Sequence, residues 1–374
     1  MLLALLLACS LVAEYVRWGR ADAPAVPARL AHVQPAAAPQ LKLVRQSSSR
    51  LDAPPGAPSA HASALATLPG DEMLAFWFAG SRESAPDVQI YSSRWSGGHW
   101  GPTRSVADRA SLGEGLGFAV RRIGNPTAWA APDGTVHLFV VATGLGGWAA
   151  SRVVHLVSAD RGDSFQVRRV LPMSPLFNTS VMVRTTPVGL SDGGWWLPLY
   201  FELGNRYPLL MSFDAAGEPR WIARIGERTS LMQPAVIAVS PTEVRAWMRD
   251  ASEERRIQQA VSHDGGLSWV DVPPLDMVND NTSVAALKLH EGGFVLLHNI
   301  GPEGSAARNV LRLSVSDDAH AWKHAFDIAV GDPLDEYSYP GVQQLGDELH
   351  VTFTDRRRTI AHHVYRIRYG EGAR

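Results

Sequence analysis

The chain has 374 residues with 35 basic and 37 acidic side chains, and its formal net charge of -2 excludes the basic excess typical of a general nucleic-acid-binding protein. This length is sufficient for one large domain or two ordinary ones, each with a substantial buried core. Cys9 is the only cysteine, so an internal disulfide framework and a cysteine-based zinc site are both excluded.

The N-terminus is almost wholly apolar from Met1 to Ala13, and Arg17 and Arg20 follow. This run is too short for a membrane span. Residues 1–20 resemble an export signal without the usual basic start, and a membrane anchor or a cytosolic chain with an apolar start are the alternatives. The four residues that end at Cys9 resemble a lipoprotein processing box, so lipidation of Cys9 stays open.

Residues 21–40 are rich in Ala and Pro, a composition that is typical of an extended tether and therefore favours export. We predict a periplasmic or cell-surface protein, either released or tethered to a membrane at its N-terminus. Residues 41–370 form its working domain, which we expect to be a monomer.

Beyond residue 40, short apolar runs alternate with Gly, Asp and Pro, and this spacing predicts an all-β protein of many short strands. The motif Ser-x-Asp-x-Gly-x-x-aromatic recurs among these runs. Its Ser and Asp are suited to bond a hairpin turn, its Gly to a positive φ and its ring to the core, so we assign it a structural role. Two complete and three incomplete copies begin at Ser158 and Ser262, and at Ser93, Ser212 and Ser316.

A second series of short polar motifs opens six strands, and five of the six repeats are followed by the turn motif. The opening residues are His61, Asn125, Asn178, Gln233, Asn281 and Tyr339. Repetition about every 53 residues predicts a six-bladed β-propeller of four-stranded antiparallel blades. The sixth repeat lacks a fourth strand, so we expect an N-terminal strand, Leu41 to Gln46, to close the ring.

In such blades the opening residues form an inner ring on the front face, and the turn motifs lie on the opposite face. An outer ring at the loops between strands two and three contains Arg82, Asp87, Trp148, Arg152, Glu202, Arg206, Arg249, Arg308 and Arg356. Six polar residues at the axis are costly to bury without partners, so we expect a wet funnel, with a polar plug as the alternative. The arginines produce a positive field that suits a carboxylate or a sulfate.

These features resemble the sialidase superfamily, in particular bacterial sialidase-like proteins with BNR repeats, over almost all of residues 55–370. Beyond the turn motifs, the resemblance is carried by the stretches 61–63, 77–83, 233–234, 336–340 and 355–357. It implies that three arginines hold the carboxylate of the substrate, that a tyrosine activated by a glutamate attacks the sugar, and that an aspartate is the acid/base. A phenolic nucleophile suits an anionic sugar because a carboxylate nucleophile would be repelled by the substrate's charge.

Transferred to this sequence, the resemblance assigns Asp87 to the acid/base and Arg249 and Arg308 to the second and third arginines. Tyr339 fits the nucleophile by strand register and Tyr337 fits it by the local Tyr-Ser string, and we favour Tyr339. The remaining predicted substrate contacts are Arg82, Arg356, Gln233, Asn125, Asn178 and Asn281.

Two positions depart from the pattern of the superfamily. His61, Ala62 and Ser63 stand where the first arginine is expected, and Gln233 stands where the activating glutamate is expected. A glutamine cannot accept the tyrosine proton as a base, so Glu202 and Glu336 are the alternatives.

Three functions follow as hypotheses. The first is an exported exo-sialidase-type glycoside hydrolase acting on an acidic glycan, with a sialoside as the default substrate. The second is a polysaccharide lyase on uronic acids, with His61 and Tyr339 as base and acid. The third is a non-catalytic glycan-binding propeller. We expect no nucleic acid, metal or other cofactor, since no phosphate-loop or metal-ligand pattern is present.

Overall fold

The structure, a computed structural model, describes residues 2–19, 41–51, 54–173 and 178–370. Helix α1 (Leu2–Gly19) covers most of the predicted export segment, and the predicted linker 21–40 lies outside the described residues. In the part of the chain that the structure describes, no helix is both long and apolar enough to cross a membrane.

Strand β1 (Leu41–Leu51) begins the domain, and six antiparallel sheets follow. Blade one contains, from the axis outward, β2 (Ser59–Leu68), β3 (Glu72–Gly80), β4 (Gln89–Ser96) and an outer strand split into β5 (His99–Trp100) and β6 (Arg104–Ala107). Helix α2 (Arg109–Leu116) leads to blade two, which contains β7 (Arg122–Ala130), β8 (Val136–Thr143), β9 (Ser151–Ser158) and β10 (Gln166–Val170). In blade three the inner strand is split into β11 (Val181–Val183) and β12 (Val188–Gly189), followed by β13 (Trp195–Leu203), β14 (Asn205–Phe213) and β15 (Pro219–Arg224).

The second half of the ring repeats this arrangement. Blade four contains β16 (Leu231–Ser240), β17 (Glu243–Asp250), β18 (Gln258–Ser262) and β19 (Val270–Val272). Blade five contains β20 (Ala285–Lys288), β21 (Phe294–Asn299), β22 (Val310–Ser316) and β23 (Lys323–Val330). Blade six contains β24 (Tyr337–Leu345), β25 (Glu348–Asp355) and β26 (Thr359–Tyr369), and its outer strand is β1.

The ring is closed by pairing between the first and the last strand. Leu41 lies opposite Tyr369 at one end of the β1–β26 ladder, and Leu51 lies opposite Ile360 at the other. The predicted all-β six-bladed propeller and its closure by an N-terminal strand are therefore confirmed, and the closing strand continues beyond the predicted end at Gln46 to Leu51.

Apolar side chains fill the space between each blade and the next. The described residues form six buried apolar clusters, one at each blade interface. Trp77, Trp195, Trp196 and Trp247 are among the largest fully buried side chains. Replacing one of them by Ala would cost about 3–5 kcal/mol, so these interfaces hold the blades together.

The recurrent Ser-Asp motif forms the turn between strands three and four of a blade. In blade four, the Ser262 hydroxyl accepts a hydrogen bond from the Gly266 backbone N–H at 2.9 Å, and an Asp264 carboxylate oxygen accepts one from Ser268 N–H at 2.9 Å. Gly266 has a φ of 90°, which a side chain would strain. The ring nitrogen of Trp269 donates to the Gly266 carbonyl, so the aromatic residue fixes the turn to the core as predicted.

Several histidines are buried in the blades as neutral rings. His137 and His155 share a hydrogen bond of 2.9 Å in blade two, and His350 and His362 share one of 3.0 Å in blade six. Burial lowers the pKa of His137, His350 and His298 to about 4, of His362 to about 3 and of His155 to about 2. Because each ring resists protonation in the folded state, acid is expected to favour the unfolded chain.

We predict that the free energy of unfolding falls as the pH is lowered from about 6.5 to about 5, by up to about 1.4 kcal/mol per pH unit for each such histidine. The unfolded chain binds protons below its ordinary histidine pKa while the folded chain does not, so stability is lost on the acid side. Urea unfolding at a series of pH values measures this slope. The variant His298→Gln should reduce the slope by about one histidine. A wild-type slope of zero over this range would contradict the prediction.

Candidate active site

The inner strands are interrupted at the front end of the axis. In four blades two residues leave the pairing, and the first of the two has a positive φ: Ala62 (55°), Asn125 (37°), Gln233 (52°) and Tyr339 (53°). This left-handed backbone is strained for any residue other than glycine. The interruptions bring side chains of different blades together at the axis, where Tyr339 and His61 meet.

Two members of the predicted inner ring are out of register. His61 still pairs with Phe78, so Ala62 occupies the ring position of blade one. Asn178 precedes its strand, and its side-chain oxygen accepts a hydrogen bond from the Met173 backbone N–H at 2.8 Å. The prediction that His61 and Asn178 occupy the same position in their blades as Tyr339 was therefore wrong. The position of the bulge, and not the sequence motif, determines which residue of a blade belongs to the inner ring.

In blade three the inner strand is interrupted later, between Val183 and Val188. The first residue of the gap is Arg184, whose side chain crosses the axis and donates hydrogen bonds to the backbone carbonyls of Ser63 at 3.1 Å and Pro340 at 2.9 Å. Arg184 is only 3% exposed. Its place at the axis was missed because no motif marks it.

Tyr339 lies at the centre of the site and is partly exposed. Its hydroxyl accepts a hydrogen bond from Arg249 Nη1 at 3.3 Å. The guanidinium carbons of Arg184 and Arg308 lie 5.2 Å and 5.9 Å from the centroid of its ring, and the His61 ring centroid lies at 4.4 Å. Three cations and a neutral imidazole therefore surround one phenol.

Charge controls the ionisation of this phenol. Burial raises the pKa of Tyr339, but Arg249 and Arg308 lower it by more, while Glu83 opposes them. The net effect is a pKa below the ordinary tyrosine value. Tyr339 is thus predisposed to act as an oxygen nucleophile or a base.

The ring amides hold Arg249 in place. Asn281 Oδ1 accepts a hydrogen bond from Arg249 Nε at 2.7 Å, and Gln233 Oε1 accepts one from Nη1 at 3.2 Å. The Gln233 and Asn125 amide groups also donate to the hydroxyl of buried Tyr200, at 3.3 Å and 3.4 Å. Gln233 is buried and Asn125 and Asn281 are half-buried, so these amides form a hydrogen-bonded polar network beside the partly exposed Tyr339.

His61 is buried and neutral. Burial, followed by the charge of Arg357, lowers its pKa to about 3. Both of its ring nitrogens lack a hydrogen-bond partner in the described part of the chain. The ring nitrogens are also closed off from solvent, so a substrate could use His61 as a proton acceptor only after a movement that exposes the ring.

The candidate bases Glu336 and Glu202 are engaged elsewhere. Glu336 pairs with Arg308 at 3.0 Å and with Arg357 at 2.6 Å, and it accepts a hydrogen bond from Ser338. Burial raises the pKa of Glu336, but its bonds to Arg357 and Ser338 outweigh burial and hold the pKa at about 2. Such a carboxylate is a poor proton acceptor. Glu202 pairs with Arg206 at 3.6 Å.

The rim residues divide into two groups. Tyr337 and Arg356 bond each other at 3.0 Å, and Arg356 also pairs with Asp335 at 2.8 Å. It is the following residue, Arg357, that reaches the site, where it bridges Glu336 and Glu83. The string Asp-Arg-Arg signalled this pair in the sequence, and the prediction named Arg356 but not Arg357.

The predicted acid/base lies on the loop between β3 and β4. Asp87 is exposed, and its carboxylate accepts hydrogen bonds from the Ser81 backbone N–H at 2.8 Å and the Ser81 hydroxyl at 2.9 Å. These bonds lower its pKa, so Asp87 is ionised in this conformation. Arg82 lies exposed on the same loop. No group of three His, Cys, Asp or Glu residues that could hold a metal is found among the described residues.

Comparisons with known proteins support the fold. The Hadza microbial sialidase Hz136 superposes with a TM-score of 0.68 at 14% identity, over 84% of this chain and 66% of that protein. A Dyadobacter fermentans protein of unknown function superposes with a TM-score of 0.68 at 15% identity, over 88% of this chain and 100% of that one. Trypanosoma rangeli sialidase superposes with a TM-score of 0.65 at 14% identity, over 88% of this chain and 60% of that protein.

The chain thus spans about two thirds or less of each of these two sialidases. No curated protein matches the sequence. Residues 71–351, which include strands of all six blades, match the BNR repeat-like domain. The chain therefore belongs to the BNR repeat-like domain family and has the six-bladed propeller fold that it shares with sialidases.

Proposed function

We propose that the protein is an exported glycoside hydrolase of the sialidase type that acts on an acidic glycan. The observation that carries the proposal is Tyr339, a partly exposed phenol of lowered pKa held among Arg184, Arg249 and Arg308. Trypanosoma rangeli sialidase, which has the same fold, has been solved in complex with sialic acid, so a sialoside is the default substrate.

The proposed reaction has two displacement steps. The phenolate oxygen of Tyr339, formed by loss of its proton to solvent, forms a bond to the anomeric carbon while the glycosidic C–O bond breaks, and the carboxyl group of Asp87 donates a proton to the departing oxygen. Water then attacks the anomeric carbon, gives its proton to Asp87 and releases Tyr339. Asp87 must first give up its bonds to Ser81 and bind a proton, so a movement of the β3–β4 loop accompanies substrate binding.

Arg249 and Arg308 are the proposed carboxylate ligands. Arg249 has no carboxylate partner among the described residues, so its charge is available to a substrate. Arg308 shares its charge with Glu336 and contributes less. This distribution predicts that Arg249 dominates recognition of the substrate's negative charge.

Replacement of Tyr339 by Phe is expected to reduce kcat/KM for a fluorogenic sialoside by about a thousandfold or more, because the nucleophilic oxygen is lost. Tyr337→Phe is the matched control and should retain activity within a few-fold, since its hydroxyl is bonded to Arg356. Full activity of Tyr339→Phe would rule out the mechanism. If the wild type binds the sialoside without turnover and Tyr339→Phe retains that affinity, the protein is a glycan-binding module.

Replacement of Arg249 by Met is expected to raise KM for the sialoside by about a hundredfold, the loss of one charge-assisted contact to a carboxylate. The variant should also lose its preference for the acid over the corresponding methyl ester. Arg356→Met is the control, because Asp335 already neutralises that arginine, and its KM should remain within twofold. An unchanged preference in Arg249→Met would place carboxylate recognition elsewhere.

A second candidate function, a uronate lyase, is favoured by His61. After a movement that exposes its buried ring, His61 would accept the proton from C5 of the uronate, a C4–C5 double bond would form as the C4–O bond breaks, and Tyr339 would give its proton to the departing oxygen. The low pKa of Tyr339 makes it a ready proton donor but also favours its anion, so hydrolysis remains the first proposal.

If the lyase function holds, a panel of uronate polymers is expected to yield a product with the ultraviolet absorbance of an unsaturated uronate, and His61→Ala should reduce that rate by about a hundredfold or more. A hydrolase should instead give no such absorbance and should tolerate His61→Ala better than Tyr339→Phe. Absorbance that persists undiminished in His61→Ala would remove His61 from the reaction.

A further inference from the structure

Arg184 reaches from blade three across the axis to blades one and six. Its guanidinium donates to the carbonyls of Ser63 and Pro340 and lies 5.2 Å from the centroid of the Tyr339 ring. Both carbonyl acceptors belong to bulges next to the site, and Pro340 directly follows Tyr339. A shift of this guanidinium would therefore displace the backbone that carries the phenol.

The charge of Arg184 has no carboxylate to balance it. No ion pair joins Arg184 to an acidic side chain in the described ranges, and its Nε lacks a hydrogen-bond partner there. Burial lowers its pKa to about 10, so it remains a cation at neutral pH. A buried cation without a counter-ion is strongly destabilising, and something else must supply negative charge.

An external anion has little room to approach the Arg184 guanidinium through the interior of the propeller. The void beside Arg184, lined by Thr185, Ala235 and Gly341, has a volume of about 10 Å³. That volume holds about one water molecule. The larger cavity of about 300 Å³ at the back end of the axis is lined by other residues, including Ala66, and not by Arg184.

Two phenols remain as sources of negative charge, because Tyr339 and Tyr200 both favour the charged form of Arg184. Burial raises the pKa of Tyr200 far above the ordinary tyrosine value, so Tyr200 stays neutral. Tyr339 behaves in the opposite way, and its anion is the remaining candidate.

We propose that Arg184 is a positioning residue for Tyr339, which it holds from below and whose phenolate serves as its counter-ion. Together with Arg249 and Arg308, Arg184 then favours loss of the Tyr339 proton in a site where position 233 carries no glutamate to accept it. The catalytic consequence of this inference rests on the proposed glycosidase function, whereas the pairing of charges does not.

Other charged or titratable groups face Tyr339 from every neighbouring element. Arg249 on β17 and Arg308 before β22 add positive charge, and Glu83 on the β3–β4 loop opposes them. His61 on β2 is neutral and adds no charge. The contribution of Arg184 must therefore be separated from that of the other two arginines by substitution.

The test is a spectroscopic titration of tyrosinate in the full-length protein, with Tyr339→Phe as the reference that isolates one of the eight tyrosines. In the wild type, Tyr339 should ionise below 10.0, the ordinary tyrosine pKa. Arg184→Met should raise that apparent pKa, and Arg184→Lys, which keeps the charge, should raise it by less. Arg312→Met is the matched control, because Arg312 pairs with Asp327 on blade five, and it should cause no shift.

An equal titration of Tyr339 in the wild type and Arg184→Met, or ionisation of Tyr339 in the wild type at or above 10.0, would overturn the inference. If Arg184→Met does not fold, the wild-type titration and Arg184→Lys decide the question. The measurement needs no substrate, so a lowered phenol pKa without glycosidase activity would refute the proposed function and leave the inference intact. With an active enzyme, the acid limb of kcat/KM against pH should move upward by the same amount in Arg184→Met.

Discussion

The inner edge of each blade carries backbone carbonyl groups that no further strand can pair, and side chains of neighbouring blades supply the missing donors. Thr127 of blade two donates to the carbonyl of Thr185 in blade three, and Thr185 donates in turn to Pro234 of blade four. Arg184 of blade three donates to the carbonyls of Ser63 in blade one and Pro340 in blade six. Polar groups lie at the axis because the backbone carbonyls of these edges need hydrogen-bond donors. Arg184 is a donor with a full charge, so it also influences the chemistry proposed at the neighbouring Tyr339.

The positive field of the front face is concentrated at one point. Several rim arginines are paired with carboxylates, as Arg356 is with Asp335 and Arg206 with Glu202, so their charges are largely balanced. The cations at the axis are less balanced, and they converge on one phenol. Under the proposed function, an acidic ligand at the axis would meet Arg249, which has no carboxylate partner among the described residues, whereas at the rim it would meet arginines that are already paired.

The six strand-opening motifs and the five turn motifs together were enough to predict the number of blades and the closing strand, because turn chemistry is local and survives as a sequence pattern. Tyr339, Arg249 and Arg308 could also be predicted to share one site, since strand register carries them to one face. Arg184 could not, because the interruption of its strand is displaced within blade three and the preceding Asn178 matches the motif better. His61 was assigned one residue out of step for the same reason: a bulge changes which residue faces the axis without changing the composition of the strand.

The β1–β26 ladder joins the first strand of the domain to be synthesised with the last. The ring therefore cannot close until the last strand of the domain has left the ribosome, and until then five blades must wait as an open arc with an unpaired edge. A nascent arc of this kind exposes strand edges to other chains, which makes completion of the last blade the step at which aggregation is avoided. Loss of a short segment from either end of the domain would return the finished protein to that open state.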